Sequence, residues 1–226
     1  MYRSTTLTVN DSPMHTLIIA QHLPVAHEGL EKDPFTIEVV ERYAAAGYVC
    51  AIPFIFHYWP PEENLAVKRE EFRDDWTVDD IKATFDTLSG MDKVDADRTG
   101  ILGHCWGGRV AWLSSCHIPQ LKGCAVFYGG RVKVPHADNG PAPIALADRI
   151  QCPVLGIFGN DDQSPSPEDV NDYEQALVDA DVLHEFHRYD GAGHGFQDHT
   201  NADRYRQEQA EDAWSKAVAF FARQLS

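Results

Sequence analysis

Basic residues are scarce in this chain. Its 226 residues include 19 lysines and arginines against 35 aspartates and glutamates, for a formal net charge of −16. Nucleic acid and anionic membrane surfaces are bound by basic faces, so neither is expected as a partner. Long hydrophobic runs are missing as well. No apolar stretch approaches the thickness of a bilayer, and Met1-Tyr2-Arg3-Ser4-Thr5 begins no signal-peptide core. The five cysteines, Cys50, Cys105, Cys116, Cys124 and Cys152, are odd in number and show no CxxC spacing. That argues against a disulfide framework and for thiols kept reduced in the cytoplasm.

Two further absences narrow the chemistry. Eleven histidines are many, yet there is no HExxH motif. His184 and His187 lie three apart on an expected strand, which points them to opposite faces, so no metal is expected. The glycines of Gly103–Gly108 lack the Lys-Ser/Thr of a phosphate-binding loop and the spacing of a dinucleotide fingerprint, and no cofactor is expected. Internal repeats, low-complexity tracts and linkers are also lacking. With 43% hydrophobic and 24% charged residues, the chain reads as one globular domain over residues 1–226.

What is present alternates between strand-like and helix-like segments. Expected strands are His15–Gln21, Tyr48–Phe56, Arg98–Leu102, Gly123–Tyr128, Pro153–Phe158 and His184–Tyr189. Helices are expected after Asp33-Pro34, over Asp75–Ser89 and Gly107–Cys116, after Ser166-Pro167, and over Asn201–Gln224. Pro135–Pro143 reads as a surface loop. Such alternation implies an α/β fold with a mostly parallel sheet covered by helices on both faces.

The segment Ile101-Leu102-Gly103-His104-Cys105-Trp106-Gly107-Gly108 carries the most chemical information. A strand ends at Gly103, a cysteine follows two residues later, and a glycine pair opens a helix. This is the Gly-x-nucleophile-x-Gly spacing of a nucleophile elbow, with cysteine in the place of serine. The sharp turn leaves almost no room for neighbouring Cβ atoms. The helix N-terminus behind it favours a thiolate and offers N–H donors to an oxyanion.

In a parallel sheet, reacting groups collect beyond the carboxyl ends of strands. Cys105 follows one such strand, Asp161 and Asp162 follow Leu155–Gly159, and His194 lies within Gly191-Ala192-Gly193-His194-Gly195-Phe196. Nucleophile, acid and histidine thus come in the chain order of an α/β-hydrolase. Cys105 would attack, His194 would hold the thiolate and later activate water, and a carboxylate would orient the imidazole. Oxyanion donors are expected from the backbone N–H of Trp106 and one in the Gln21–Leu23 turn, taken as Leu23. His57, Tyr58 and Trp59 follow the Tyr48–Phe56 strand and are candidates for lining a substrate pocket.

These residues resemble the dienelactone hydrolase family of cysteine α/β-hydrolases. The resemblance is carried by Gly103-x-Cys105-x-Gly107-Gly108, by Gly159-x-x-Asp162 with Pro165-Ser166-Pro167, and by Ala192-Gly193-His194-Gly195-Phe196. It implies an α/β-hydrolase fold and cofactor-free cleavage of a small-molecule lactone or carboxylic ester. By the same resemblance Cys105, Asp162 and His194 form the triad, with Asp161 one position away as the alternative acid.

Two departures from the family stand out. Family members commonly carry a glutamate just after the strand that here ends near Gln21, where this chain has His22, leaving His22, Glu28 or another acid as the substitute. Enzymes acting on dienelactone usually place an arginine shortly after the catalytic histidine, where this chain has Gln197-Asp198. Cations would then come from Arg69, Arg73 or Lys68, and a less anionic substrate is expected. The competing reading is a non-catalytic or redox-sensing binding module built on the same fold. Oligomeric state is not readable from the sequence.

Overall fold

The computed structural model describes residues 14–22, 33–136 and 140–226. Six strands form one sheet: β1 Met14–Ala20, β2 Val49–Ala51, β3 Val94–His104, β4 Gly123–Phe127, β5 Val154–Gly159 and β6 His184–Tyr189. Among the described residues six α-helices accompany them: α1 Pro34–Ala45, α2 Leu65–Glu70, α3 Asp74–Ser89, α4 Trp106–Ser115, α5 Pro167–Asp179 and α6 Gln207–Gln224. The strand order is β2-β1-β3-β4-β5-β6, and every neighbouring pair is parallel. This is the α/β-hydrolase arrangement.

Alternation along each strand divides the core in two. Ile18, Ile101 and Val126 face a layer that includes Val78, Ile81 and Phe85 of α3, Val110 and Trp112 of α4, and Tyr173 of α5. Leu17, Ile19, Leu102, Ala125 and Phe127 face the other layer, with Phe35, Val39 and Tyr43 of α1 and Ala213, Ala217, Phe220 and Phe221 of α6. Both faces of the central strands are covered, which is why these strands read as continuous apolar runs.

Strand order also sets where chemistry belongs. The chain passes from β1 to β2 on one side, then returns to lay β3 on the other side of β1. The crevice at this reversal opens beyond the carboxyl ends of β1 and β3, the usual ligand position in open parallel sheets. Cys105 directly follows β3.

Helix starts agree with their caps. Asp33 accepts a hydrogen bond from the Thr36 N–H at 3.2 Å, with Pro34 at the first helical position. Ser166 and Asp169 form a reciprocal capping box at α5.

Elsewhere the boundaries differ from expectation. The strand expected over Tyr48–Phe56 stops at Ala51, two residues before Pro53, which has no N–H to give a ladder. The terminal helix begins at Gln207, not Asn201. Before it, Tyr205 N–H donates to the Asn201 carbonyl, and the Arg206 guanidinium donates to the carbonyls of Gly191, Asp203 and Tyr205. The short helix α2 and a 3-10 helix over Pro143–Arg149 fall in segments to which the sequence assigned no helix or strand. Among the described residues no helix is long and apolar enough to cross a membrane.

Candidate active site

Cys105 occupies the turn between β3 and α4 with φ 54° and ψ −116°, a backbone state costly for any residue with a Cβ. The surrounding glycines explain how the turn closes. A Cβ on Gly103 would lie 2.0 Å from the carbonyl oxygen of Gly107, and one on Gly107 would lie 2.3 Å from that of Ala20. The chain crosses itself here with no side chain in between. Cys105 stands at the N-cap of α4, yet its thiol makes no capping bond to the helix.

His194 Nε2 instead lies 2.9 Å from Cys105 Sγ. The other ring nitrogen, Nδ1, lies 2.8 Å from Asp162 Oδ2. Asp162 is buried, and its second oxygen accepts the Ser164 N–H at 2.8 Å, so both carboxylate oxygens are engaged. The loop delivering His194 needs left-handed glycines on either side, Gly191 at φ 71° and Gly195 at φ 75°. Cys105, His194 and Asp162 thus form a Cys-His-Asp catalytic triad.

Asp161, the alternative acid, is exposed, and its N–H donates to the Ala192 carbonyl at 2.9 Å. That bond joins the acid turn to the histidine loop.

The electrostatics of the imidazole follow from its neighbours. Burial alone would make His194 less basic. The hydrogen bonds and charges of Asp162 and Cys105 outweigh that and push its pKa up to about 10. That direction favours the protonated ring, the form that pairs with a thiolate.

Cys105, His194 and Asp162 open onto a cavity of about 810 Å³, with Trp106, Arg69, Arg131, Arg204 and Arg206 also in its wall. None of these four arginines is ion-paired to a carboxylate among the described residues. Glu70, Asp161 and Asp203 also line the cavity. Of the cations expected from sequence, Arg69 lies in this wall, where Arg131, Arg204 and Arg206 join it. Arg204 and Arg206 reach it from the irregular segment ahead of α6, and Arg131 from the loop after β4. The sequence hinted at Arg131 only through Gly129-Gly130 just before it.

Other residues singled out from sequence lie apart from the cavity wall. His57 Nε2 lies 3.1 Å from Asp80, and the Tyr58 hydroxyl donates to the same carboxylate at 3.3 Å. Trp59 is buried and donates its indole N–H to Glu71. Arg73 is held by Asp75 and lies over the ring of Trp76. Lys68 is buried, with Nζ 3.5 Å from the Pro61 carbonyl. His22 is buried edge-on to Phe35, with Nδ1 3.6 Å from Asp33 Oδ1. Leu23 and Glu28 lie outside the described residues. No cluster of three or more metal-ligating side chains occurs among the described residues.

Comparison with known proteins agrees with this geometry. The model of the dienelactone hydrolase family matches residues 11–225. A Synechocystis sp. protein, provisionally named a carboxymethylenebutenolidase, is 32% identical over 200 residues, covering 83% of this chain and 80% of its own length. The carboxymethylenebutenolidase of Rhodococcus opacus is 30% identical over 201 residues, covering 85% of this chain and 77% of its own. A crystal structure from Klebsiella pneumoniae, provisionally named a dienelactone hydrolase, superposes with a TM-score of 0.81 at 28% identity. It covers 95% of this chain and 89% of that one.

Proposed function

This chain belongs to the dienelactone hydrolase family, and from that premise we propose that it hydrolyses a small ester or lactone bearing an anionic group through an acyl-Cys105 thioester. The observation that carries the reading is one imidazole held between Cys105 Sγ at 2.9 Å and Asp162 at 2.8 Å.

The Cys105 thiolate attacks the substrate carbonyl, and the former carbonyl oxygen takes the negative charge. In this reading the backbone N–H of Trp106, in the first turn of α4 where helix N–H groups lack intrahelical acceptors, donates to that oxyanion. As the carbon–oxygen bond breaks, imidazolium His194 gives its Nε2 proton to the departing alkoxide. In a lactone the alkoxide remains tethered to the acyl group. The neutral imidazole then takes a proton from water, and the hydroxide attacks the thioester. Collapse releases the carboxylic acid, returns the thiolate, and leaves the proton on His194. Asp162 keeps the ring orientation throughout and stabilises its positive charge.

Four arginines in the cavity wall, none ion-paired to a carboxylate among the described residues, favour a substrate with its own negative charge. A carboxymethylene-substituted butenolide, the substrate class named for the Rhodococcus opacus relative, combines a lactone with a carboxylate. Five free cysteines fit a single catalytic domain working in a reducing cytoplasm.

Hydrolysis of p-nitrophenyl acetate and of mono-p-nitrophenyl succinate tests the reading. Turnover of both is expected in wild type, faster for the succinate, and lost in Cys105→Ala. Equal rates in wild type and Cys105→Ala would remove it.

A further inference from the structure

Of the cavity's arginines, Arg131 has a backbone that a glycine would adopt at less cost. Its φ is 60°, in the left-handed region, and it directly follows Gly129 and Gly130. Residues with a Cβ hold such a conformation only where the surroundings impose it, and such strain gathers at functional sites.

The surroundings here are unusually specific. Arg109, on α4 one turn beyond Cys105, is fully buried. Its Nε–H donates to the Arg131 carbonyl at 3.2 Å and its Nη2 to the Val134 carbonyl at 2.7 Å. The same guanidinium forms a two-bond pair with Asp74 at 2.5 and 2.9 Å. Asp74 in turn accepts the His136 N–H at 2.9 Å, and its own N–H donates to the His136 carbonyl at 2.7 Å. Both ends of the 131–136 loop are thereby tied to the helix that carries the nucleophile.

The side chain is held as well. Arg131 Nε–H donates to His136 Nε2 at 3.1 Å. Burial, reinforced by the charges of Arg109 and Arg131, lowers the His136 pKa to about 4, so the ring is a neutral acceptor. Its ring centroid lies 5.4 Å from that of Trp106, itself in the cavity wall. The terminal nitrogens of Arg131 have no partner among the described residues. Preorganised planar donors of this kind suit a carboxylate.

We propose that Arg131 determines the enzyme's specificity for anionic substrates, presenting a preset guanidinium to the substrate carboxylate, with Arg109 and Asp74 as its positioning clamp. This rests on the anionic-ester reading above.

The test compares mono-p-nitrophenyl succinate with p-nitrophenyl acetate in wild type, Arg131→Gly, Arg131→Ala and Arg131→Lys. In Arg131→Gly and Arg131→Ala the kcat/KM ratio of succinate to acetate falls ~10-fold or more, through KM for the succinate. Arg131→Lys recovers part of the ratio by restoring charge without the fork. Arg131→Gly melts above Arg131→Ala, because glycine takes the left-handed backbone without the steric cost. An unchanged ratio, or equal losses on both esters, overturns the proposal while leaving the hydrolase reading in place. Failure of wild type to cleave either ester overturns both.

Discussion

Cys105 and His194 are 89 residues apart in the chain, and their reacting atoms lie 2.9 Å apart. One is fixed by a turn too tight for side chains at Gly103 and Gly107, the other by a glycine-bounded loop hung on the Asp162 carboxylate. Neither contact would survive a small displacement of either loop.

Removing the charge behind the imidazole is therefore expected to cost far more than one hydrogen bond. Asp162→Asn should lower kcat by about 10⁴-fold. It should also bring the His194 pKa down from about 10 towards its ordinary value, as read by NMR titration of the ring. The sign for stability follows from a pKa raised on folding. The contribution of His194 is complete below the unfolded value of about 6.5 and is lost as pH rises to about 10. Denaturant midpoints across that window should fall in wild type and fall less in Asp162→Asn.

Steric closure of the elbow separates from backbone strain in a pair of substitutions. At Gly107 a Cβ would lie 2.3 Å from the Ala20 carbonyl oxygen, so Gly107→Ala should destabilise by about 3 kcal/mol and depress activity. Gly47 has φ 98° but open space around it, so Gly47→Ala should cost about 1 kcal/mol and leave catalysis alone. Urea unfolding and initial rates check both.

The Arg109–Asp74 pair is buried and joined to three backbone groups of the 131–136 loop. Truncating one partner strands the other, so Asp74→Ala should cost about 3–5 kcal/mol in chemical denaturation. The double variant Arg109→Met/Asp74→Leu should recover part of that loss, with the remainder owed to the loop groups left without partners.

His22 packs edge-on to Phe35, outside the cavity wall. It is buried beside Asp33, whose pKa is lowered because His22 and Thr36 outweigh the opposing effect of burial. His22→Glu would set a second carboxylate about where the imidazole now faces the first. We expect roughly 2 kcal/mol or more of destabilisation at pH 8. The deficit should shrink in acid as one carboxyl takes up a proton, a trend that melting temperatures across pH would reveal.

The triad was legible in sequence because glycines flank Cys105 and His194, and because strand ends gather reacting groups at one rim. The choice between Asp161 and Asp162 was not, since side-chain directions in a turn have no fixed period and only the folded loop shows which carboxylate meets His194. His57, Tyr58 and Trp59 were misplaced for a local reason. Their expected position relied on a strand reaching Phe56, while β2 stops at Ala51 ahead of Pro53. Arg131, Arg204 and Arg206 carry no periodic signal at all. Loops after β4 and ahead of α6 bring them to the cavity, and tertiary contacts alone set those paths.

The most direct measurement is mass spectrometry of the acid-quenched enzyme during turnover of p-nitrophenyl trimethylacetate, whose hindered acyl group leaves the enzyme slowly. The account requires a chain heavier by one trimethylacetyl group, carried on the peptide containing Cys105 and missing from Cys105→Ala. Acylation at another residue, or wild-type release of p-nitrophenol by Cys105→Ala, would contradict it.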